Sequence, residues 1–148
     1  MKSTELMIGD WLIPYNETEP RRVEHLTYQY EMSGKYDVVA FDKNPYTFNY
    51  TGFCKPVPIT REILEKNGFV CREERGSFVA YSYSEESYSN QTVEITLFHV
   101  ESEYKNNQLH ICEFHHPNEV MLHLMKCNYV HKLQHALRLC GIDMEITL

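Results

Sequence analysis

The sequence contains no long apolar run. The longest obvious one is Val38-Val39-Ala40-Phe41, far short of the ~18 to 20 residues that a helix needs to cross a bilayer. Nucleotide-type phosphate cradles are missing too. No Gly-x-Gly-x-x-Gly, P-loop, Gly-x-Ser-x-Gly or Ca²⁺ loop occurs, and only six glycines are available to build one. Positive charge is scarce: fourteen Lys and Arg stand against twenty-one Asp and Glu, a formal net charge of −7. A long-range field of that sign repels nucleic acid. The five cysteines are odd in number and unclustered, which argues against a disulfide framework and for reduced thiols. The opening Met1 to Asp10 meets acid and glycine before any secretory apolar region forms, so a cytoplasmic location is expected.

No low-complexity tract, repeat or Gly/Ser linker divides the 148 residues, a length that suits one domain, 1–148. A subdivision into residues 1–55 and 56–148 is suggested by Lys55-Pro56-Val57-Pro58, because alternate prolines favour an extended connector. What remains is the composition of a folded protein: 43% hydrophobic and 24% charged residues.

Before the prolines, short β-like runs dominate: Trp11 to Ile13, Arg22 to Tyr28, Tyr36 to Phe41 and Tyr46 to Tyr50. Their separators, Pro14 to Pro20, Met32-Ser33-Gly34 and Asp42 to Pro45, are turn chemistry. After the prolines, Thr60 is placed to cap a short helix over 61–66, and Asn67-Gly68 to stop it. Period-two alternation then predicts five strands: Phe69 to Glu74, Phe78 to Tyr83, one through Val93, Ile95 and Leu97, one through Leu109 and Ile111, and one through Val120, Leu122 and Leu124. A turn at His115 to Asn118 sets Phe114 opposite Glu119, Cys112 opposite Met121, Ile111 opposite Leu122, His110 opposite His123 and Leu109 opposite Leu124. Glu101 to Asn107 reads as a loop.

The last helix is expected over Tyr129 to Cys140, capped by Asn128 and ended by Gly141. Val130, Leu133, Leu137 and Cys140 form its apolar stripe, and His131, Gln134, His135 and Arg138 the opposite side. Ile142, Met144, Ile146 and Leu148 alternate with polar residues as a terminal strand would. The expected fold is α+β and mainly antiparallel: a β-rich first part, then a five-stranded meander with the final helix packed on the sheet.

Three groups of residues carry candidate chemistry. Cys112, His115, Cys127 and His131 present Cys-x2-His and Cys-x3-His spacings, and tetrahedral zinc takes thiolate and imidazole ligands. Zinc is accordingly the only candidate cofactor, either structural or in a metal-dependent hydrolase. His131 and His135 repeat at i, i+4, but Lys132 stands where a metalloprotease helix needs its glutamate. Tyr81, Tyr83, Tyr88, His110 and His123 form a candidate interaction surface for a protein partner; tyrosine gives large contact area at low entropic cost. The eleven tyrosines also allow single-stranded nucleic acid to stack on a sheet, against the unfavourable charge. No assembled catalytic motif is present, so the expectation is a non-catalytic protein-binding module.

Three segments together resemble a family of small uncharacterised proteins from gut bacteria and their prophages and mobile elements. They are Glu5-Leu6-Met7-Ile8-Gly9-Asp10-Trp11, Pro56-Val57-Pro58-Ile59-Thr60 with Asn67-Gly68-Phe69, and Tyr129-Val130-His131-Lys132-Leu133-Gln134. The first is also similar to the opening strand of SH3-like barrels. The resemblance implies shared architecture and brings no activity, cofactor or catalytic residue. It includes His131 and leaves out Cys112, His115 and Cys127, and it places His131 at the start of the last helix, where it is expected to brace the preceding strand.

Overall fold

A computed structural model describes residues 5–31, 34–42, 44–76, 78–84, 91–100, 103–104, 107–115, 118–139, 142 and 144–148. The chain separates into two compact units. One holds Met1–Val57 with Tyr129–His135, the other Pro58–Asn128 with Ala136–Leu148.

The first unit is built on a five-stranded antiparallel sheet. Strands β1 (Trp11–Ile13), β2 (Arg21–Glu31), β3 (Gly34–Phe41), β4 (Asn44–Tyr50) and β5 (Lys55–Pro56) stand in the order β4-β3-β2-β1-β5. Leu12, Val23, Val39 and Phe41 turn inward from three strands and pack with Leu6 and Cys54. Each is nearly sealed from water, and burying such a side chain contributes about 1.5 to 3 kcal/mol. β2 slips register between Val23 and His25, where Glu24 bulges. Gly9, at φ +89°, turns the chain so that its N–H donates to the Val23 carbonyl, while the Val23 N–H donates to the carbonyl of Asp10.

The second unit opens with helix α1 (Arg61–Lys66). Its boundaries follow from local chemistry. The Thr60 hydroxyl accepts from the Ile63 N–H, and Gly68 adopts φ +80° so that the N–H groups of Gly68 and Phe69 reach the last carbonyls. Leu64 is the anchor, fully buried. A meander follows: β6 (Val70–Arg75), β7 (Phe78–Ser84), β8 (Gln91–Val100), β9 (Glu103–Tyr104), β10 (Gln108–His115) and β11 (Asn118–Lys126). The sheet order is β11-β10-β8-β7-β6, with β9 pairing β8. The five expected strands are all present; the expected 101–107 loop contains β9.

The last pairing corrects the sequence reading. Phe114 faces Glu119 and Cys112 faces Met121 as expected, but the ladder then slips: Ile111 pairs with His123, His110 with Leu124, and Leu109 with Met125. One extra residue, Leu122, is accommodated on β11 between Met121 and His123. The expected Ile111–Leu122, His110–His123 and Leu109–Leu124 pairs are therefore not formed.

Helix α2 (Val130–Leu139) carries buried residues on more than one stripe. Val130, Leu133 and Leu137 are buried as expected, and Ala136 with them, but so are His131 and Gln134, while Leu139 is 87% exposed. The polar side is thus not a solvated face, because Gln134 and His135 have partners in the first unit. Asn128 has a different task from the expected cap: its side-chain oxygen accepts from the Asn107 N–H. Cys140 and Gly141 lie outside the described residues.

The expected terminal strand is not formed over 144–148, although the alternation survives, with Ile142 and Ile146 buried. Asn67 explains why no ladder is needed. Its carboxamide donates to the Thr147 carbonyl (2.8 Å) and accepts from the Thr147 N–H (2.9 Å), doing with one side chain what a neighbouring strand would do with its backbone. The Lys66 ammonium donates to the Leu148 carbonyl beside it.

Candidate functional site

Within the first unit, two stretches 125 residues apart in sequence meet. The Asp10 carboxylate is completely buried; both of its oxygens lie 2.9 to 3.0 Å from His135 Nε2. One of them also accepts from the Met7 N–H. Helical spacing puts His131, Gln134 and His135 on one side of α2, and Gln134 Nε2 donates to the Gly9 carbonyl at 3.3 Å. His131, 3% exposed, stacks on Tyr129 with rings 7° from parallel and meets His135 edge-on at 5.9 Å.

Burial pushes the His131 imidazole down from its ordinary 6.5 to about 4, against the opposing pull of the Asp10 carboxylate. It is therefore neutral at neutral pH. Among the described residues no hydroxyl or thiol hydrogen-bonds to either imidazole, and His131 Nδ1 and Gln134 Oε1 have no partner. The arrangement is a clasp that fixes the Gly9-Asp10 turn to the start of α2. His131 stands at the start of α2 as expected, and its described ring contacts are with Tyr129 and His135.

A cleft of about 510 Å³ adjoins the same turn, lined by Ile8, Gly9, residues 22–25 and Asp42. Its rim is ordered by backbone bonds: Arg22 N–H donates to Asp42 Oδ1 and Asp42 N–H to the Arg22 carbonyl. The Arg22 guanidinium sits over the Trp11 ring, 5.9 Å from its centre.

The same unit exposes a cluster of aromatic rings. Tyr15 and Phe53 are 57% and 58% exposed, with ring centres 5.4 Å apart, and Tyr50 meets Phe53 edge-on at 6.1 Å. Two turns present them: Pro14 to Glu17, where Asn16 takes φ +63°, and Tyr50 to Phe53, closed by the Phe53 N–H on the Tyr50 carbonyl. Cys54 lies just behind, its thiol donating to the Tyr50 carbonyl, and burial raises that thiol to about 11. It is a structural, unreactive cysteine.

The residues singled out from sequence fall elsewhere. Tyr81 is 1% exposed, with its hydroxyl donating to Glu65 at 3.0 Å, so it is a core residue of the second unit and not part of a surface. Burial, reinforced by the Glu65 carboxylate, holds its phenol well above the usual range. Tyr83 lies half-buried with its ring against Phe69. Tyr88 lies outside the described residues, and His110 and His123 sit on adjacent strands out of register. Of the zinc candidates, Cys112 and His115 belong to β10, Cys127 is a buried thiol of the second unit, and His131 belongs to the clasp. Among the described residues no three His, Cys, Asp or Glu side chains gather as metal ligands would. No helix of the described chain is long and apolar enough to cross a membrane.

Sequence reasoning missed Tyr15, Phe53 and Asp10. Large aromatics inside otherwise polar turns were the available signal for the first two; nothing local announced that Asp10 faces α2. No known protein family, curated protein or solved structure matches this chain.

Proposed function

We propose that this chain is a non-catalytic protein-binding module, cytoplasmic and of the gut-bacterial or prophage type that its motifs resemble, and that it grips a basic segment of a partner protein with Tyr15, Tyr50 and Phe53. The exposed ring cluster carries this reading. More than half of the Tyr15 and Phe53 surface faces water, and water-facing aromatics held rigid by turns are the residue type that dominates binding energy at protein contacts. Charge supports a basic occupant. The chain carries −7, and Glu17 and Glu19 lie two and four residues after Tyr15, Glu17 being ion-paired with Arg21. Lys and Arg side chains gain from both the acidic surroundings and the ring faces. The same charge disfavours nucleic acid as the partner.

Affinity capture from bacterial lysate, followed by titration of the purified partner, tests the proposal. Tyr15→Ser/Phe53→Ser is expected to weaken binding by about a hundredfold, the scale of losing two buried aromatic contacts, and added salt to weaken it further. A partner that binds the double variant as tightly as the parent chain sinks the proposal.

A further inference from the structure

Strand β2 is longer than the neighbour on its β1 side. β1 covers Arg21 and Arg22, and the Gly9–Asp10 turn satisfies Val23. Beyond that point no strand among the described residues pairs with β2 on that side, although β3 pairs it on the other up to Glu31. Among the described residues, 25–31 thus form a sheet edge inside a five-stranded sheet.

The direction of the edge's backbone groups follows from the ladder. The Asp37 carbonyl accepts from Thr51, on the β4 side, so Val38 turns its backbone groups to β2 and bonds with its partner Thr27. Leu26, Tyr28 and Tyr30 therefore turn their N–H and C=O groups to the open side. Natural edges of this kind are blunted by charge or proline. Inside the edge, Leu26-Thr27-Tyr28-Gln29-Tyr30 has neither, formal charge standing only at its end on Glu31, and Thr27, Tyr28 and Tyr30 favour strands.

We propose that this edge pairs with the same edge of a second copy of the chain, antiparallel across a two-fold axis at Tyr28. Symmetry selects the register. In an antiparallel pair, bonded and non-bonded positions alternate, so a two-fold axis must pass through one residue facing its own copy. An axis at Thr27 sets Glu31 against Val23, whose open-side groups are already bonded. An axis at Gln29 shortens the ladder. With Tyr28 on the axis, Leu26 stands opposite Tyr30, Thr27 opposite Gln29 and His25 opposite Glu31, which sets a basic against an acidic residue type at each end. About six backbone hydrogen bonds form through Leu26, Tyr28 and Tyr30.

Sedimentation equilibrium of the full chain across a concentration series tests this. The expected result is reversible association to twice the 17.6 kDa chain mass. Tyr28→Lys places two ammonium groups face to face and is expected to raise the dimer dissociation constant on the order of tenfold or more. His25→Glu sets carboxylates against Glu31 and weakens the dimer. Adding Glu31→Lys restores it, an outcome specific to this register. Circular dichroism of each variant reports that the monomer stays folded. A monomer at every concentration, assemblies that grow beyond two copies, or dimers indifferent to all three changes overturn the proposal.

Discussion

His131 is neutral because it is buried, and that ties stability to acid. Its folded value of about 4 lies below the ordinary 6.5, so between these values the unfolded chain binds a proton that the folded chain refuses. Its contribution is complete above about pH 6.5 and is lost as pH falls toward 4, amounting to roughly 3 kcal/mol at most. Thermal unfolding followed from pH 7 to pH 4 is expected to fall less steeply in His131→Phe, which keeps a ring against Tyr129 and removes the titration. Parallel curves would contradict the assignment. Asp10→Ala strips both the Met7 N–H and His135 of their acceptor and is expected to cost about 2 kcal/mol in urea denaturation, discounted because His135 is partly exposed. Asp10 and its partners were illegible in the sequence, where a lone carboxylate followed by tryptophan says nothing about a helix 125 residues later.

At the scale of elements, legibility follows the range of the forces involved. Helix α1 was readable to the residue because its cap and its stop lie within the segment. Thr60→Ala is expected to cost about 1 kcal/mol through the lost cap. Gly68→Ala is expected to cost about as much through φ +80° alone, since an added Cβ would meet the Tyr83 ring only at an ordinary 3.7 Å. Equilibrium unfolding of each variant measures this, and a Gly68→Ala protein as stable as the parent would contradict the positive φ. The meander was readable because alternation marks strands. Its last register was not, since the slip at Leu122 is a property of two backbones in a ladder and leaves no mark on residue type. The terminal alternation described burial correctly and pairing wrongly, because Asn67, some 80 residues earlier, supplies the bonds that a strand partner would have made.

For the whole molecule, the α+β, mainly antiparallel architecture followed from composition and periodicity, whereas the exposed ring cluster did not. Tyrosines at alternate strand positions drew attention to Tyr81, which the fold buries. Tyr15 and Phe53 sit in turns, where no period exists to mark them. Their exposure also makes a stability prediction: replacing either with serine removes little buried area and is expected to change unfolding free energy by less than about 0.5 kcal/mol, so lost binding in these variants reports on the contact itself. The central claim is that these rings hold a basic protein segment. The most direct test is calorimetric titration of a purified partner into the parent chain and into Tyr15→Ser/Phe53→Ser, both shown to unfold at the same temperature. The account predicts saturable binding to the parent and about a hundredfold weaker binding to the variant; equal affinity for the two would contradict it.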